Sequence, residues 1–358
     1  MRVLFIATEP APGMRPFVAT IMAALDSCAE FDVRLLAVNK GNQTFTNLIS
    51  HNILRSVEYP SNTVKKALYK IYPRSIIKAI KEEIEEYTPD VVNFITGDFS
   101  MAFTCMAGIL DFPFYYTVHD LFPHEHKGLK GNLFDRYIQW GNARMKDMAK
   151  VLTTSSKFQF EYLKGLGMSI GFTAFPSLIT DAIRSGKKVP KEIAGEKKYI
   201  LFFGNVDLYK GTDLLESAWE FVQSAGEHKL IIAGCGLGLS SKKNDSIIRI
   251  NRFIEDDEVQ ELFLNAGIVV YPYRSATMSG VLSLAYYFKK KVVCSDLDFF
   301  MQYPSDNTFY FERDNVNSLV NAIECAYRAP YVDDGAYENY YSEKQLIEDY
   351  CRLYEIDR

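Results

Sequence analysis

An α/β fold built on mainly parallel, doubly wound sheets is predicted by three observations. Short apolar strand-like runs alternate with amphipathic helical segments along the chain. The chain has 358 residues, of which 48% are hydrophobic and 24% charged, which is an ordinary globular balance with ample core. This length predicts two domains, since one domain usually takes roughly 100–200 residues.

Composition argues against several other classes of protein. The net charge is −5, so global electrostatics give no reason to expect nucleic-acid binding. The opening MRVLFIATEP is read as a strand, because its apolar run is short and a Pro/Gly loop follows it. No apolar segment reaches the roughly 18 residues that a membrane span requires. The six scattered cysteines form no CxxC pair or metal-ligand spacing, so we expect reduced thiols in a cytoplasmic protein.

The first half of the chain is predicted to form one domain, residues 1–183. Its predicted strands are 2–8, 31–38, 91–95, 114–118 and 151–154. Its predicted helices are 16–25 and 61–87, the latter interrupted by Pro73. The polar residues 39–50 are expected to loop over the surface.

A charged stretch, residues 184–198, carries Gly and Pro but few large apolar side chains, so it is predicted to be an interdomain linker. A second strand and helix series then predicts a second domain, 199–330. Residues 331–358 are predicted to form a C-terminal helical segment that crosses back to the first domain. The carboxyl ends of the strands in both halves can face a cleft, where open α/β sheets place ligands.

Residues 267–296 form a strand, a small polar turn, an amphipathic helix and a second strand. The turn contains Thr277 and Ser279 and ends at Gly280. Such a turn leaves the first N–H groups of the helix pointing outward, which suits a phosphate. The alternative is a well-capped turn that binds no ligand.

Two further loops contain glycine beside candidate binding residues. Lys210 and Gly211 come directly before a helix, where a lysine can reach a phosphate as a mobile point charge. The alternative is an exposed loop lysine. A glycine cluster that begins at Gly234 lets the backbone approach a ligand closely, or forms a plain turn; it is not the full dinucleotide fingerprint.

In the first half, His119 follows a predicted strand at the edge where the cleft is expected. It either meets a ligand or satisfies loop backbone groups. His124 and His126 are two residues apart and share no helix face, so a metal site there is discounted. Gly13 allows a tight approach of the first loop to a ligand, or belongs to a simple surface loop.

Residues 61–87 carry a basic cluster in an otherwise acidic chain. Its members are Lys65, Lys66, Lys70, Arg74, Lys78 and Lys81. On an amphipathic helix these residues could touch anionic lipid headgroups. The alternative is a solvated helix face.

Together these motifs resemble the retaining nucleotide-sugar glycosyltransferases of the GT-B fold, specifically glycosyltransferase family four. The resemblance covers nearly the whole chain and is strongest over residues 201–296. It rests on FGNVDLYKGTDLL, LIIAGCGLG, RFIEDDEVQELFLNAGIVVYPY and SGVLSLAYYFKKKVVCSD, with TVHD and TTSS in the first half. It implies two doubly wound Rossmann-like domains that face a central cleft.

The resemblance also implies roles for individual residues. His119 would lie beside the transferred sugar, and Lys210 would neutralise the diphosphate leaving group. Residues 279–281 would hold phosphate through the backbone, and residues 252–254 would lie against the base. The expected donor-binding residues are Gly13, Asn205, Lys210, Gly234, Phe253, Ile254, Arg274, Thr277, Ser279, Gly280 and Val281, and the expected catalytic residues are His119 and Lys210.

The chain departs from the family pattern at four positions. Ala276 and Leu284 stand where two glutamates are usual, and neither side chain can accept a hydrogen bond. Asn205 and Asp207 stand where an arginine usually precedes the donor-loop lysine. We therefore expect Arg274 to supply the second positive charge from the opposite loop.

The resemblance implies transfer of a sugar from a nucleotide-sugar to a glycan or lipid-linked acceptor in cell-surface polysaccharide synthesis. No carboxylate is placed as an obvious nucleophile, which favours front-face displacement with retained configuration. Neither a metal nor another cofactor is expected. The expected location is the cytoplasm, with peripheral contact to the inner face of the membrane. The alternatives are a catalytically weak partner subunit of another transferase and a nucleotide-sugar 2-epimerase.

Overall fold

A computed structural model describes residues 1–8, 14–41, 44–46, 48–119, 121, 133–223, 228–236 and 244–355. The chain divides into two compact units. The first comprises residues 1–176 together with 343–358, and the second comprises residues 177–342. Each unit contains one parallel β-sheet with helices in the connections between strands.

The first unit contains a seven-stranded sheet in the order β3-β2-β1-β4-β5-β6-β7. Its strands are β1 (Arg2–Ala7), β2 (Asp32–Asn39), β3 (Leu54–Glu58), β4 (Val91–Phe94), β5 (Tyr115–Thr117), β6 (Val151–Thr154) and β7 (Ile170–Phe172). Its helices before residue 176 are α1 (Met14–Asp26), α2 (Thr63–Ile71), α3 (Arg74–Tyr87), α4 (Ala102–Met106), α5 (Leu133–Met148) and α6 (Lys157–Gly165).

The second unit contains a six-stranded sheet in the order β10-β9-β8-β11-β12-β13. Its strands are β8 (Tyr199–Phe203), β9 (Leu230–Ala233), β10 (Ile247–Ile250), β11 (Ala266–Tyr271), β12 (Lys291–Ser295) and β13 (Thr308–Phe311). Its helices are α7 (Asp181–Ser185), α8 (Thr212–Trp219), α9 (Asp256–Leu264), α10 (Val281–Tyr287), α11 (Asp298–Met301), α12 (Val316–Arg328) and α13 (Ala336–Tyr341).

The central strands are largely apolar because both faces of each sheet are covered. In β1, Val3 and Phe5 pack into one hydrophobic cluster, and Leu4 and Ile6 pack into another. All four side chains are fully buried. This is why the strands appear in the sequence as continuous hydrophobic runs rather than as alternating ones.

The predicted linker, residues 184–198, belongs instead to the second unit, and the division falls after Pro176. Ile183, just before the stretch, and Ile193 within it are buried and anchor it to the second unit. The Lys188 amide donates to the Asp257 carbonyl at 3.1 Å. The charged sequence suggested a linker, but two buried isoleucines and a backbone hydrogen bond to α9 attach this stretch to the second unit.

The predicted C-terminal segment, residues 331–358, is divided between the two units at Ser342. Helix α14 (Glu343–Leu353) packs in the first unit, where Leu346, Tyr350 and Cys351 are buried in its core. The Asp349 carboxylate accepts a hydrogen bond from the Ala174 amide at 2.6 Å. Helix α14 is therefore part of the hydrophobic core of the first unit.

Candidate functional site

Two loops of the second unit meet at the point where its strand order reverses. One follows β8 and spans residues 204–211, and the other follows β11 and spans residues 272–280. Strands β8 and β11 are neighbours, and ligands of open α/β sheets bind beyond the carboxyl ends of such a pair. The Arg274 amide donates to the Tyr209 carbonyl at 2.7 Å, so the loops touch. We refer to these two loops as the loop pair.

Gly211 lies at the contact within the loop pair. Its φ of +67° is in the left-handed region, and a Cβ at this position would lie 1.9 Å from the Pro272 carbonyl oxygen. A side chain therefore cannot be accommodated without separating the loops. The glycine beside Lys210 allows the two loops to approach each other in addition to opening α8.

Lys210 is buried, with only 9% of its surface exposed. Its Nζ lies 5.1 Å from the centre of the Tyr273 ring and 5.9 Å from that of the Tyr209 ring. Within the described part of the chain its ammonium has no carboxylate partner. Burial lowers the pKa of Lys210, and Tyr209 and Asp207 oppose that change. An ammonium held by aromatic rings without a counterion is well suited to bind an anion.

The two tyrosines beside Lys210 were missed by the sequence analysis. Tyr273 is 1% exposed, and Ser295 Oγ donates to its carbonyl at 2.6 Å, which fixes the backbone of the loop. Burial raises the pKa of Tyr273, and the neighbouring Ser279 hydroxyl lowers it. The available signal was the Tyr-Pro-Tyr sequence at residues 271–273, which leads directly out of a buried strand.

The start of α10 is held rigidly in place. Ser283 Oγ donates to the Gly280 carbonyl at 2.6 Å and accepts from the Leu178 amide at 3.0 Å. Among described residues, no acceptor is recorded for the amides of Ser279, Gly280 and Val281. These three amides and the Lys210 ammonium thus come from the loop pair and the helix that follows it. Such groups can neutralise a phosphate.

Arg274 is already paired with two carboxylates of the second unit. Its guanidinium makes two hydrogen bonds to Asp213, at 2.7 and 2.9 Å, and its Nε donates to Asp314 at 2.6 Å. Nη1 also donates to the Leu208 carbonyl at 2.6 Å. Two carboxylates already neutralise this cation, which argues against the expectation that Arg274 supplies charge to a diphosphate. Arg274 instead ties the loop pair to α8.

We expect Arg274→Ala to lower the free energy of unfolding by about 1 kcal/mol, since the pairs are partly exposed. Affinity for the donor nucleotide should stay within about twofold of wild type, because the lost charge was already neutralised. Arg274 holds the pKa of Asp213 below its ordinary value. The stability from that pair is present above the unfolded pKa of about 3.9 and is lost as pH falls through the folded pKa. Urea unfolding at pH 7 and pH 3 checks this: the stability gap should shrink in acid, and a gap of the same size at both pH values would contradict the ion-pair account.

Gly234 is required by the packing of two strand ends, and its donor contact remains a prediction. Its φ is +149°, and a Cβ there would lie 1.9 Å from the Gly204 carbonyl oxygen. The Gly204 amide donates to the Ala233 carbonyl at 3.0 Å, which draws the two strand ends together. Asn205, the next residue of the loop, is exposed and remains a predicted donor contact.

The predicted base-binding loop follows β10 and is anchored by Arg252. Its guanidinium contacts Glu192 at 3.0 Å and Glu258 at 2.6 Å, and these hydrogen bonds hold the pKa values of both carboxyl groups below their ordinary range. Phe253 is 66% exposed, so its ring can stack on a base. Ile254 is buried, which leaves only its backbone for the predicted contact.

Leu284 and Ala276, at the positions assigned to the usual glutamates, contribute no carboxylate. Leu284 is 1% exposed and packs into the core of the second unit, and Ala276 is partly buried. Thr277 is also partly buried and remains a predicted donor contact. The Asp207 carboxylate accepts from the Leu208 amide at 2.7 Å, so it caps its own loop. The Gly13 prediction lies outside the described residues.

His119, in the first unit, has one ring nitrogen committed to the backbone. Its Nε2 lies 2.8 Å from the Ile95 carbonyl oxygen, which can only accept, so Nε2 carries the proton. The ring packs edge-on against Phe17 at 5.1 Å, and the His119 carbonyl accepts from Gln159 at 3.0 Å. The imidazole is therefore held in one orientation. It lines a cavity of about 230 Å³ in the first unit.

The structure also bears on metal binding and on membrane crossing. Among the described residues, no three His, Cys, Asp or Glu side chains are grouped so that they could hold a metal ion. None of the described helices combines the length and the apolar character needed to cross a membrane.

Comparison with known proteins assigns the second unit to a class. The family described as "Glycosyl transferases group 1" matches residues 197–328. None of the curated proteins matches this chain in sequence.

Solved structures share the fold over its whole length. A sucrose-phosphate synthase from Thermosynechococcus elongatus is 14% identical, with a TM-score of 0.71 over 99% of this chain and 98% of that one. The Anabaena protein HepE, in complex with UDP and glucose, is 14% identical, with a TM-score of 0.71 over 99% of each chain. A UDP-GlcNAc 2-epimerase from Neisseria meningitidis is 11% identical, with a TM-score of 0.59 over 98% of this chain and 100% of that one.

The fold is therefore GT-B, with two Rossmann-like parallel-sheet units, and the predicted fold class is confirmed. With a glycosyl transferase group 1 domain in its second unit, the chain is a glycosyltransferase.

Proposed function

We propose that the chain transfers a sugar from a UDP-sugar donor to a glycan or lipid-linked acceptor in the synthesis of a cell-surface polysaccharide. The observation that carries the proposal is the buried Lys210 ammonium, which lacks a counterion among the described residues and belongs to the same loop pair as the amides of residues 279–281. The UDP bound by the structurally similar HepE supports the choice of nucleotide.

The proposed chemistry depends on charge developing on the leaving group. As the sugar–phosphate bond breaks, the diphosphate gains negative charge, and Lys210 with the three amides stabilises it. Aromatic rings around the ammonium exclude water and strengthen this interaction. The proposal assigns this neutralisation to Lys210 and the amides and invokes no metal ion or other cofactor.

We propose retention of the anomeric configuration by front-face displacement. Within the loop pair, Asp207 caps its own loop, and Asp213 of the adjoining helix α8 pairs with Arg274, so neither is a free nucleophile. A double displacement would need such a carboxylate beside the sugar. His119 would orient the donor sugar through a hydrogen bond. Proton NMR of the anomeric signal gives the configuration of the product and so tests this assignment. A product with inverted configuration would contradict it.

A panel of UDP-, GDP- and ADP-sugars tests the proposed donor. We expect only the UDP class to raise the melting temperature, since binding to the folded state stabilises it by RT ln(1 + [L]/Kd). The same UDP-sugar should be hydrolysed slowly without an acceptor. A partner subunit would respond to none of the panel. A 2-epimerase would change the configuration of the sugar and leave the nucleotide attached.

We also propose that α2 brings the enzyme to the inner face of an anionic membrane. Val64, Leu68 and Ile71 of this nine-residue helix are 67%, 61% and 53% exposed. Lys65 and Lys66 are exposed between them. A basic helix with an exposed apolar side matches an anionic lipid surface in both charge and hydrophobicity.

Replacing Lys65, Lys66 and Lys70 together with glutamine should weaken binding to phosphatidylserine-containing vesicles at least about tenfold, since each basic residue contributes about 1 kcal/mol. Co-sedimentation measures this. The matched control replaces Lys187, Lys191 and Lys197, three exposed lysines of the second unit, and should bind like wild type. If the α2 triple variant binds the vesicles as well as the control triple variant does, α2 is not the membrane contact.

A further inference from the structure

Among the described residues that line it, the cavity beside His119 presents cationic and hydrogen-bonding groups and no acidic side chain. Its lining residues are Met14, Gly97, Tyr116, Thr117, Val118, His119, Asn142 and Lys146. At about 230 Å³ it is smaller than the roughly 300–1,000 Å³ of a site for a drug-sized ligand. It therefore fits a single charged group or one sugar unit rather than an extended chain.

Helix α5 supplies two of the polar groups from one face. Asn142 and Lys146 are four residues apart, so their side chains lie one above the other. The Tyr116 hydroxyl donates to Asn142 Oδ1 at 3.2 Å, which leaves the amide nitrogen as the donor of that side chain. An amide donor and an ammonium thus line the same wall of the cavity.

Lys146 lacks a carboxylate partner among the described residues. Its nearest acidic neighbour in sequence, Asp147, is paired with Arg144 at 3.2 Å. Burial lowers the pKa of Lys146, an effect that Asp147 opposes. A partly buried cation without a counterion favours the entry of an anion, because the anion restores the interaction energy that solvent no longer supplies.

We propose that this cavity binds an anionic group of the acceptor, a phosphate or a sugar carboxylate, through Lys146 and Asn142. The inference rests on the proposed transferase function and adds the chemical class of the acceptor. The donor diphosphate is assigned to the loop pair, and neither Lys146 nor Asn142 takes part in that assignment, so the anion proposed here is a second one. A phosphate is the anion of a lipid-linked acceptor, and a carboxylate is that of an acidic sugar at the end of a glycan.

Calorimetric titration with inorganic phosphate and, separately, with sodium glucuronate tests the site. The titrations use the full chain with saturating UDP, so that the loop pair is occupied. We expect Lys146→Gln to lower the affinity for whichever anion binds the wild type by about tenfold, since a partly desolvated charge pair is lost. The matched control is Lys150→Gln, which removes an exposed lysine just after α5 and should leave the affinity unchanged.

Two further measurements separate binding from folding. Lys146→Arg keeps the charge and should keep most of the affinity for the anion. This variant tests the role of the charge even if Lys146→Gln fails to fold. Because burial lowers the pKa of Lys146 and a bound anion raises it again, binding at alkaline pH should take up protons. Titrations in two buffers with different ionisation enthalpies measure that uptake, and Lys146→Gln should abolish it.

Binding of phosphate alone, of glucuronate alone or of both supports the site, and the pattern identifies the acceptor anion. Equal affinities in wild type and Lys146→Gln overturn it, as does a wild type that binds neither anion. If the wild-type protein binds no nucleotide but still binds an anion through Lys146, the proposed donor is contradicted while the anion site in the cavity is supported.

Discussion

Replacing Lys210 with methionine should lower the turnover of the UDP-sugar about 100- to 1,000-fold, the usual loss when one preorganised group that stabilises transition-state charge is removed. Methionine keeps much of the aliphatic chain between Tyr209 and Tyr273 and removes only the ammonium. The ammonium is buried and without a counterion in the described part of the chain, so its full charge acts on the leaving group. Initial rates of UDP release, with acceptor or with water, measure the loss.

The control for this variant is Lys187→Met, which removes an exposed lysine of the same unit and should leave the rate unchanged. The UDP-induced rise in melting temperature should shrink in Lys210→Met as well, because the product diphosphate uses the same ammonium. A Lys210→Met rate within about threefold of wild type would falsify the leaving-group role, since the loss of transition-state stabilisation would then be under 1 kcal/mol.

Gly234→Ala should destabilise the second unit by about 3–5 kcal/mol, a loss reserved for severe steric conflicts. The new Cβ would lie 1.9 Å from the Gly204 carbonyl oxygen, a backbone atom that cannot rotate away. The left-handed φ of +149° adds strain for any residue with a side chain. Urea unfolding followed by Trp219 fluorescence, in a Trp140→Phe background, reports on the second unit alone.

Gly195→Ala separates the clash from the backbone strain. Gly195 also has a positive φ, +89°, but a Cβ there would meet nothing within 4 Å. Its replacement should cost about 1–2 kcal/mol, the penalty of the left-handed conformation alone. If Gly234→Ala and Gly195→Ala lose similar amounts of unfolding free energy, the close approach of Gly204 is not the reason why residue 234 must be glycine.

The buried strands were predictable because a strand covered on both faces is a continuous apolar run. This holds for β1, β8 and β11. Strand β3 was missed because it is partly exposed, and its LRSVE contains two charged side chains. Strand β7 was missed because it has only three residues, none of them fully buried. At the edges of a sheet, pairing with the neighbour decides the structure, and pairing does not show in local sequence.

The loop pair was only partly predictable for a similar reason. Lys210 is recognisable because it stands next to a glycine and before a helix, a local signal. The role of Arg274 depends on Asp213 and Asp314, which are 61 and 40 residues away in the chain. A cation that looks available in sequence is thus neutralised by contacts that only folding creates. The roles predicted for Asn205, Thr277 and Phe253 remain predictions.

The return of α14 to the first unit sets the order in which the chain can fold during synthesis. The second unit is continuous, so all of its residues have been made once Ser342 leaves the ribosome. The first unit must wait, although its sheet was made earlier, because Tyr350 and Tyr354 of the returning segment fill its core. Until then an apolar face around Phe5 and Phe31 stays open to solvent. The portion made first is therefore completed last.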